Sequence, residues 1–146
     1  MNKLIRLLAT GFNSGFSPVA PGTVGTIVGL ALTWLWLIFG FEINFPLVFI
    51  LVVVGTYLAD SAEKFFGKKD AQQIVIDEIV GFVIAIYGLG INMLIPAFVL
   101  FRLFDILKPP PINKFQELEG GVGVMVDDIL AGIMANLLLR LILFFV

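Results

Sequence analysis

Apolar residues gather in four long runs, Val24–Phe41, Phe45–Ala59, Ile79–Phe101 and Ile129–Val146, and charge, glycine and proline collect between them. A helix crossing the hydrocarbon core takes about 20 residues. The first, second and last runs therefore have to extend a turn into the head-group region. The third either forms one span or breaks at Gly88-Leu89-Gly90-Ile91-Asn92 into a hairpin of two short helices. The pattern predicts an all-α, polytopic transmembrane bundle of about five short membrane helices, organised as one domain over residues 1–146. Ahead of it, Lys3, Arg6 and Thr10 share one face of a short N-terminal amphipathic helix, with Leu4, Ile5, Leu7 and Leu8 opposite, a pattern suited to an anionic leaflet. Arg6 and Gly11 interrupt this segment too early for a secretory signal.

Composition agrees with lipid as the solvent. The chain has 146 residues, 60% of them hydrophobic and 14% charged, and a mean hydropathy of +1.07. Too few polar residues are present to cover a soluble domain of this size. The net charge of −2 offers no field for a nucleic-acid partner. Cysteine is absent, which removes disulfides, thiolate nucleophiles and soft metal sites; histidine is absent as well. Any chemistry must come from carboxylates, Lys, Arg, hydroxyls and backbone.

Charge also bears on the third run. With a hairpin there, one side of the membrane receives Lys3, Arg6, Lys64, Lys68, Lys69, Arg102, Lys108 and Lys114, whereas the opposite loops, Gly40–Asn44 and Gly88–Asn92, carry no Lys or Arg. Arg140 alone lies toward the far side, where it could snorkel to the interface. Basic residues concentrate on the cytoplasmic side, so the hairpin and a cytoplasmic basic face are expected together. Small residues recur at helical spacing: Gly22, Gly25 and Gly29; Gly55, Ala59 and Ala62; Gly81, Ala85 and Gly88; and Gly132 with Ala135 and Asn136. Such stripes let membrane helices approach closely. The Gly25/Gly29 pair serves either packing inside the bundle or a homodimer.

Under this topology the acidic residues arrive at one boundary. Asp77 and Glu78 open the third span, Asp105 closes the fourth, and Asp127 and Asp128 open the fifth. Arg102, Asp105 and Lys108, spaced by three, share a helical face. Two unit charges about 4 Å apart repel by roughly 4 kcal/mol at an effective dielectric near 20, so such a group either takes up protons or holds cations. Mg²⁺ favours carboxylate oxygens, water and substrate phosphate, which makes Asp77, Glu78, Asp127 and Asp128 a candidate magnesium site. Complementing helix dipoles is the plainer use of acids in first turns, worth about 0.3–1 kcal/mol each. Before the first span, the segment from Ser14 to Thr26 combines glycines, hydroxyls and a helix start, so its backbone N–H groups could cradle an anion. Ser17, Gly22, Thr23 and Thr26 are the candidate substrate-binding residues there. Gly and Pro before a helix are also ordinary start signals. Lys108-Pro109-Pro110-Pro111 reads as a rigid stop that would hold Lys108 near the acids.

Four segments in order resemble the phosphatidylglycerophosphatase A family: Ser17-Pro18-Val19-Ala20-Pro21-Gly22-Thr23; Val75-Ile76-Asp77-Glu78-Ile79-Val80-Gly81; the stretch from Phe101 to Pro109; and the stretch from Gly120 to Ile129. Asp70 also resembles a family acid. The resemblance covers nearly the whole chain. It implies Mg²⁺-dependent hydrolysis of phosphatidylglycerophosphate to phosphatidylglycerol and phosphate, at the cytoplasmic face of the inner membrane. Some members carry histidines between the second and third spans; this chain has none, so none is essential here.

The expected mechanism has Asp77, Glu78, Asp127 and Asp128 holding one or two Mg²⁺ ions. Arg102 and Lys108 neutralise the equatorial phosphate oxygens, and Asp105 acts as general base or metal ligand. Water and an aspartate both remain open as nucleophile. Competing readings are a metal-dependent transferase acting on lipid alcohols, whose dense acidic signature is missing, and a small cation carrier or channel component, which would place its acids near mid-membrane.

Overall fold

The computed structural model describes every residue except Gln116. It is helical throughout, with no strand among the described residues. The helices are α1 (Lys3–Ala9), α2 (Pro21–Ile38), α3 (Phe45–Phe66), α4 (Ile76–Ala85), α5 (Leu94–Leu107) and α6 (Gly120–Phe145).

Local chemistry sets the boundaries. The Asn2 and Asn44 side chains accept from Leu4 N at 3.1 Å and Leu47 N at 3.0 Å, capping α1 and α3. Pro21 and Pro46 sit in first turns, where a missing N–H costs nothing. Helix α3 stops at Gly67, with φ +64°. Helix α5 stops where Lys108 turns left-handed, φ +45°, ahead of Pro109. The start of α6 is served from outside: Gly121 N–H donates to Asp60 Oδ1 of α3 at 3.4 Å.

Helices α2, α3 and α6 are long and apolar enough to cross a membrane, at 18, 22 and 26 residues. Helices α4 and α5 have 10 and 14 residues, or about 15 and 21 Å at 1.5 Å per residue, short of a hydrocarbon core of about 30 Å. The expected count of about five spans therefore becomes three full-length helices and one broken pair. The 79–101 run breaks where the chain turns through Gly88, φ +66°, and doubles back. In a straight helix Gly81 and Phe101 would lie about 30 Å apart. Instead a Cβ on Gly81 would meet the Phe101 ring at 2.7 Å, and the Phe82 and Phe101 rings are 6.4 Å apart. The hairpin is the observed arrangement.

Helix α4 is the hub. It packs on α2, α3, α5 and α6, and every residue from Ile79 to Ile86 is buried. One apolar cluster joins Phe82, Phe101, Ala135 and Leu139; a second joins Val80, Leu58, Ala62 and Met125. Small residues make the contacts close enough. A Cβ on Gly25 would lie 2.6 Å from Val75, one on Gly29 would lie 3.1 Å from Ile79 Cα, and one on Gly132 would lie 2.3 Å from the Gly81 carbonyl. The Gly25/Gly29 pair is thus spent inside the protomer, on the approach of α2 to α4.

The inner end of α4 is closed by α6. Asn136, 7% exposed, donates from Nδ2 to the carbonyls of Ala85 and Tyr87, each at 2.9 Å. Arg140 Nη2 donates to Tyr87 O at 2.8 Å, and its Nε to Asn136 Oδ1 at 2.8 Å. Arg140 is therefore bound to the hairpin turn, beyond the plain snorkelling its position suggests. These bonds satisfy carbonyls that a helix ending in an apolar layer would otherwise leave unpaired. Replacing Asn136 with Leu is expected to cost about 1–3 kcal/mol, read as a lowered melting temperature in detergent.

Candidate active site

The N-termini of α2, α4 and α6 and the C-termini of α3 and α5 meet at one end of the bundle, and the acidic residues meet there too. Asp77 and Glu78 occupy the first turn of α4. Asp128 lies two turns inside α6, because that helix begins at Gly120, well before the apolar run. One carboxylate oxygen from each of Asp77, Glu78 and Asp128 falls within 4.8 Å of the other two. The register follows from the close-contact glycines: α4 and α6 run parallel, and Gly81 and Gly132 stand four residues, one turn, beyond Asp77 and Asp128.

Asp77 and Asp128 are buried. Asp77 Oδ1, Glu78 Oε2 and Asp128 Oδ1 have no hydrogen-bond partner among the described residues. Three carboxylates at this spacing, with free oxygens turned inward, are a donor set suited to a hard divalent cation. Without one, their mutual repulsion and desolvation would be uncompensated. The residues present fit a bound metal.

Asp127 stands apart from this trio. Neighbouring residues on a helix point about 100° apart, and Asp127 turns to Lys108, whose Nζ donates to Oδ2 at 2.8 Å. Partial burial works against the charge on Lys108. The bond to Asp127, with Asp128 and Asp105 beyond it, more than restores it and raises the pKa of this ammonium above its usual range. Leaving α5 in a left-handed turn lets Lys108 reach across to α6, so it no longer continues the face of Arg102 and Asp105. Those two form an ion pair of their own, with 14% and 12% of their side chains exposed. Two ion pairs thus flank the trio of acids.

Helix α2 closes the remaining side. A Cβ on Gly22 would sit 2.5 Å from Glu78 Oε1 and 3.4 Å from Arg102 Nη1, so the first turn of α2 lies directly against the acids. Thr23 follows in the same turn, half-buried. The other two candidates of that segment are turned elsewhere: Ser17 Oγ donates to Val19 O at 2.9 Å and Thr26 Oγ1 to Gly22 O at 2.8 Å.

Comparison with known proteins settles the lineage. The model of the family described as phosphatidylglycerophosphatase A matches residues 7–143. The chain belongs to that family. Among its relatives, phosphatidylglycerophosphatase A of Haemophilus influenzae is 43% identical over 136 residues, covering 90% of this chain and 83% of the relative. The Escherichia coli protein of the same name is 36% identical over 133 residues, covering 88% and 77%. A Bacteroides thetaiotaomicron protein named "Putative phosphatidylinositol-3-phosphatase" is 38% identical over 146 residues, covering 91% and 89%. No solved structure matches the chain. For this member of the phosphatidylglycerophosphatase A family, the motifs at residues 17–23, 75–81, 101–109 and 120–129 are the segments that fold to the acidic end of the bundle.

Several residues around the site carried no functional signal in the sequence. Asp60 caps α6, and Glu63 and Lys69 line a polar cavity beside Lys108 and Asp127. Asn136 read only as part of a small-residue stripe. An amide deep in an apolar run is costly unless bonded, and that was the signal available.

Proposed function

We propose that the chain hydrolyses phosphatidylglycerophosphate to phosphatidylglycerol and inorganic phosphate, in phospholipid biosynthesis at the cytoplasmic face of the inner membrane. The supporting observation is the trio Asp77, Glu78 and Asp128, with unpaired buried oxygens, set beside Arg102 in a member of this family. The whole of residues 1–146 works as one domain. The trio holds Mg²⁺, with Asp127 at its edge. Bound there, magnesium supplies polarisation of the phosphoryl oxygens and a more acidic water.

The remaining work belongs to side chains. Arg102 presents a planar fork to two phosphate oxygens, and Lys108 adds a second positive charge. The first turn of α2, at Gly22 and Thr23, brings backbone N–H groups and a helix N-terminus to the same anion. Asp105, held by Arg102, takes the proton of the attacking water. The bond from phosphorus to the glycerol oxygen breaks, and that oxygen takes a proton from solvent.

The assay is phosphate release from phosphatidylglycerophosphate in detergent micelles. Mg²⁺ should be required, chelator should abolish release, and readdition of Mg²⁺ should restore it. Purified protein that releases no phosphate under these conditions would sink the reading. Arg102→Lys is expected to lower kcat/KM about 10²-fold, because an ammonium lacks the fork. A cation carrier instead predicts ion flux without hydrolysis. Sidedness can be read separately: the chain has no cysteine, so Lys114→Cys gives one thiol, expected to react only with reagents that reach the cytoplasm.

A further inference from the structure

Beside the acids lies a second feature, which shares Lys108 and Asp127 with the hydrolytic site but whose other charged residues the hydrolysis step does not use. A polar cavity of about 370 Å³ opens between the end of α3 and the first turns of α6, with Glu63, Lys69, Asp70, Lys108 and Asp127 on its walls. That volume is in the range of small-ligand sites, roughly 300–1,000 Å³. The cavity shares Lys108 and Asp127 with the edge of the candidate active site, and Asp127 precedes Asp128 in α6. The cavity is therefore adjacent to where a phosphate held beside the trio and Lys108 would sit.

The walls indicate what that group is. Asp127 is 7% exposed; its Oδ2 takes the Lys108 hydrogen bond, while its Oδ1 is buried without a partner among the described residues. A buried acceptor left unpaired costs about 1–3 kcal/mol, so a donor from a ligand is the natural completion. Glu63 Oε1 accepts from Asp70 N at 2.9 Å, which fastens the loop after α3 to that helix and holds the Glu63 carboxylate at the rim. Carboxylates outnumber ammonium groups on these walls, which disfavours a second anion. Hydroxyls suit them: each O–H donates to a carboxylate and accepts from a lysine.

We propose that this cavity is the subsite for the hydroxyl-bearing polyol of the lipid head group, with Glu63 and Asp70 deciding which polyol is taken. The proposal rests on the phosphomonoesterase reading above. The relatives are consistent with it: by name, two act on a glycerol-bearing lipid phosphate and one on an inositol-bearing lipid phosphate. Those names share the lipid and the phosphate and differ in the polyol.

Calorimetric titration of the full chain in detergent with Mg²⁺, at low temperature and with free phosphate monitored, tests this by binding. Inorganic phosphate is compared with sn-glycerol 3-phosphate and with inositol phosphate. At least one polyol phosphate should bind about tenfold more tightly than phosphate. Glu63→Gln and Asp70→Asn should each shrink that gap to about twofold or less while phosphate affinity stays put. Three results would overturn the proposal: no gap in the unmodified protein, a gap that survives both substitutions, or an equal loss of phosphate and polyol phosphate binding. Failure to hydrolyse phosphatidylglycerophosphate, with the gap intact, would count against the proposed reaction and leave the subsite standing. A gap for inositol phosphate only would support the subsite and assign it the other polyol.

Discussion

Asp128→Asn should lower Mg²⁺-dependent phosphate release on the order of 10³-fold, and Asp77→Asn should do the same. Each change keeps the shape of the side chain and removes one negative charge from a trio whose oxygens lie within 4.8 Å of one another. The neutral amide is a poor ligand for a hard cation, and it turns an N–H₂ toward a position that needs an acceptor. Removing a single electrostatic contributor from a buried site commonly costs 10²–10³; loss of a metal ligand also weakens loading. Higher Mg²⁺ should recover part of the rate in these variants. Because the substitution relieves repulsion among buried carboxylates, thermal stability without metal should hold or rise. Full activity with ordinary Mg²⁺ dependence in both variants would remove the metal assignment.

Gly132→Ala should damage the fold and the acidic site together. Its Cβ would sit 2.3 Å from the carbonyl oxygen of Gly81, a backbone atom in the middle of a buried helix, so no side-chain rotation can make room. Overpacking of this kind costs about 1–3 kcal/mol and sometimes more. Here the only relief is to move α4 away from α6. That movement also separates Asp77 and Glu78 from Asp128, one turn away. Melting temperature and hydrolysis should therefore fall together, and the apparent Mg²⁺ requirement should rise. A variant with unchanged melting and unchanged activity would mean that α4 and α6 are not packed backbone to backbone.

Much of this arrangement was legible in the hydropathy pattern, because burial in lipid demands long apolar stretches. The hairpin could be read from where Lys and Arg fall, since charge bias depends on which side each loop occupies. What the pattern missed comes from side chains that act across elements. Apolar periodicity put the start of the last span at Ile129, yet α6 begins at Gly120 because Asp60, 60 residues earlier in the chain, caps it. Asp127 and Asp128 looked equivalent in the sequence. A turn of about 100° per residue sends one to Lys108 and leaves the other with Asp77 and Glu78, and only the packing of α6 against α4 and α5 decides which. Spacing by three put Lys108 on the face of Arg102 and Asp105, but Pro109 ends the helix and releases it. The segment from Ser14 to Thr26 was located correctly as a helix start. Its hydroxyls at Ser17 and Thr26 are nevertheless bonded to nearby carbonyls, leaving Gly22, which has no side chain at all, as the residue nearest the acids.

Helix α4, too short to cross the bilayer and sheathed on every side, has a consequence for how the protein is made. Ten residues give the insertion machinery little to retain, and its carbonyl end stays unpaired until Asn136 and Arg140 arrive. Both belong to α6, which follows α4 and α5 in the chain, as does Asp128. A nascent chain stalled before α6 can therefore neither seal the end of α4 nor complete the acidic trio, so both wait on the same segment.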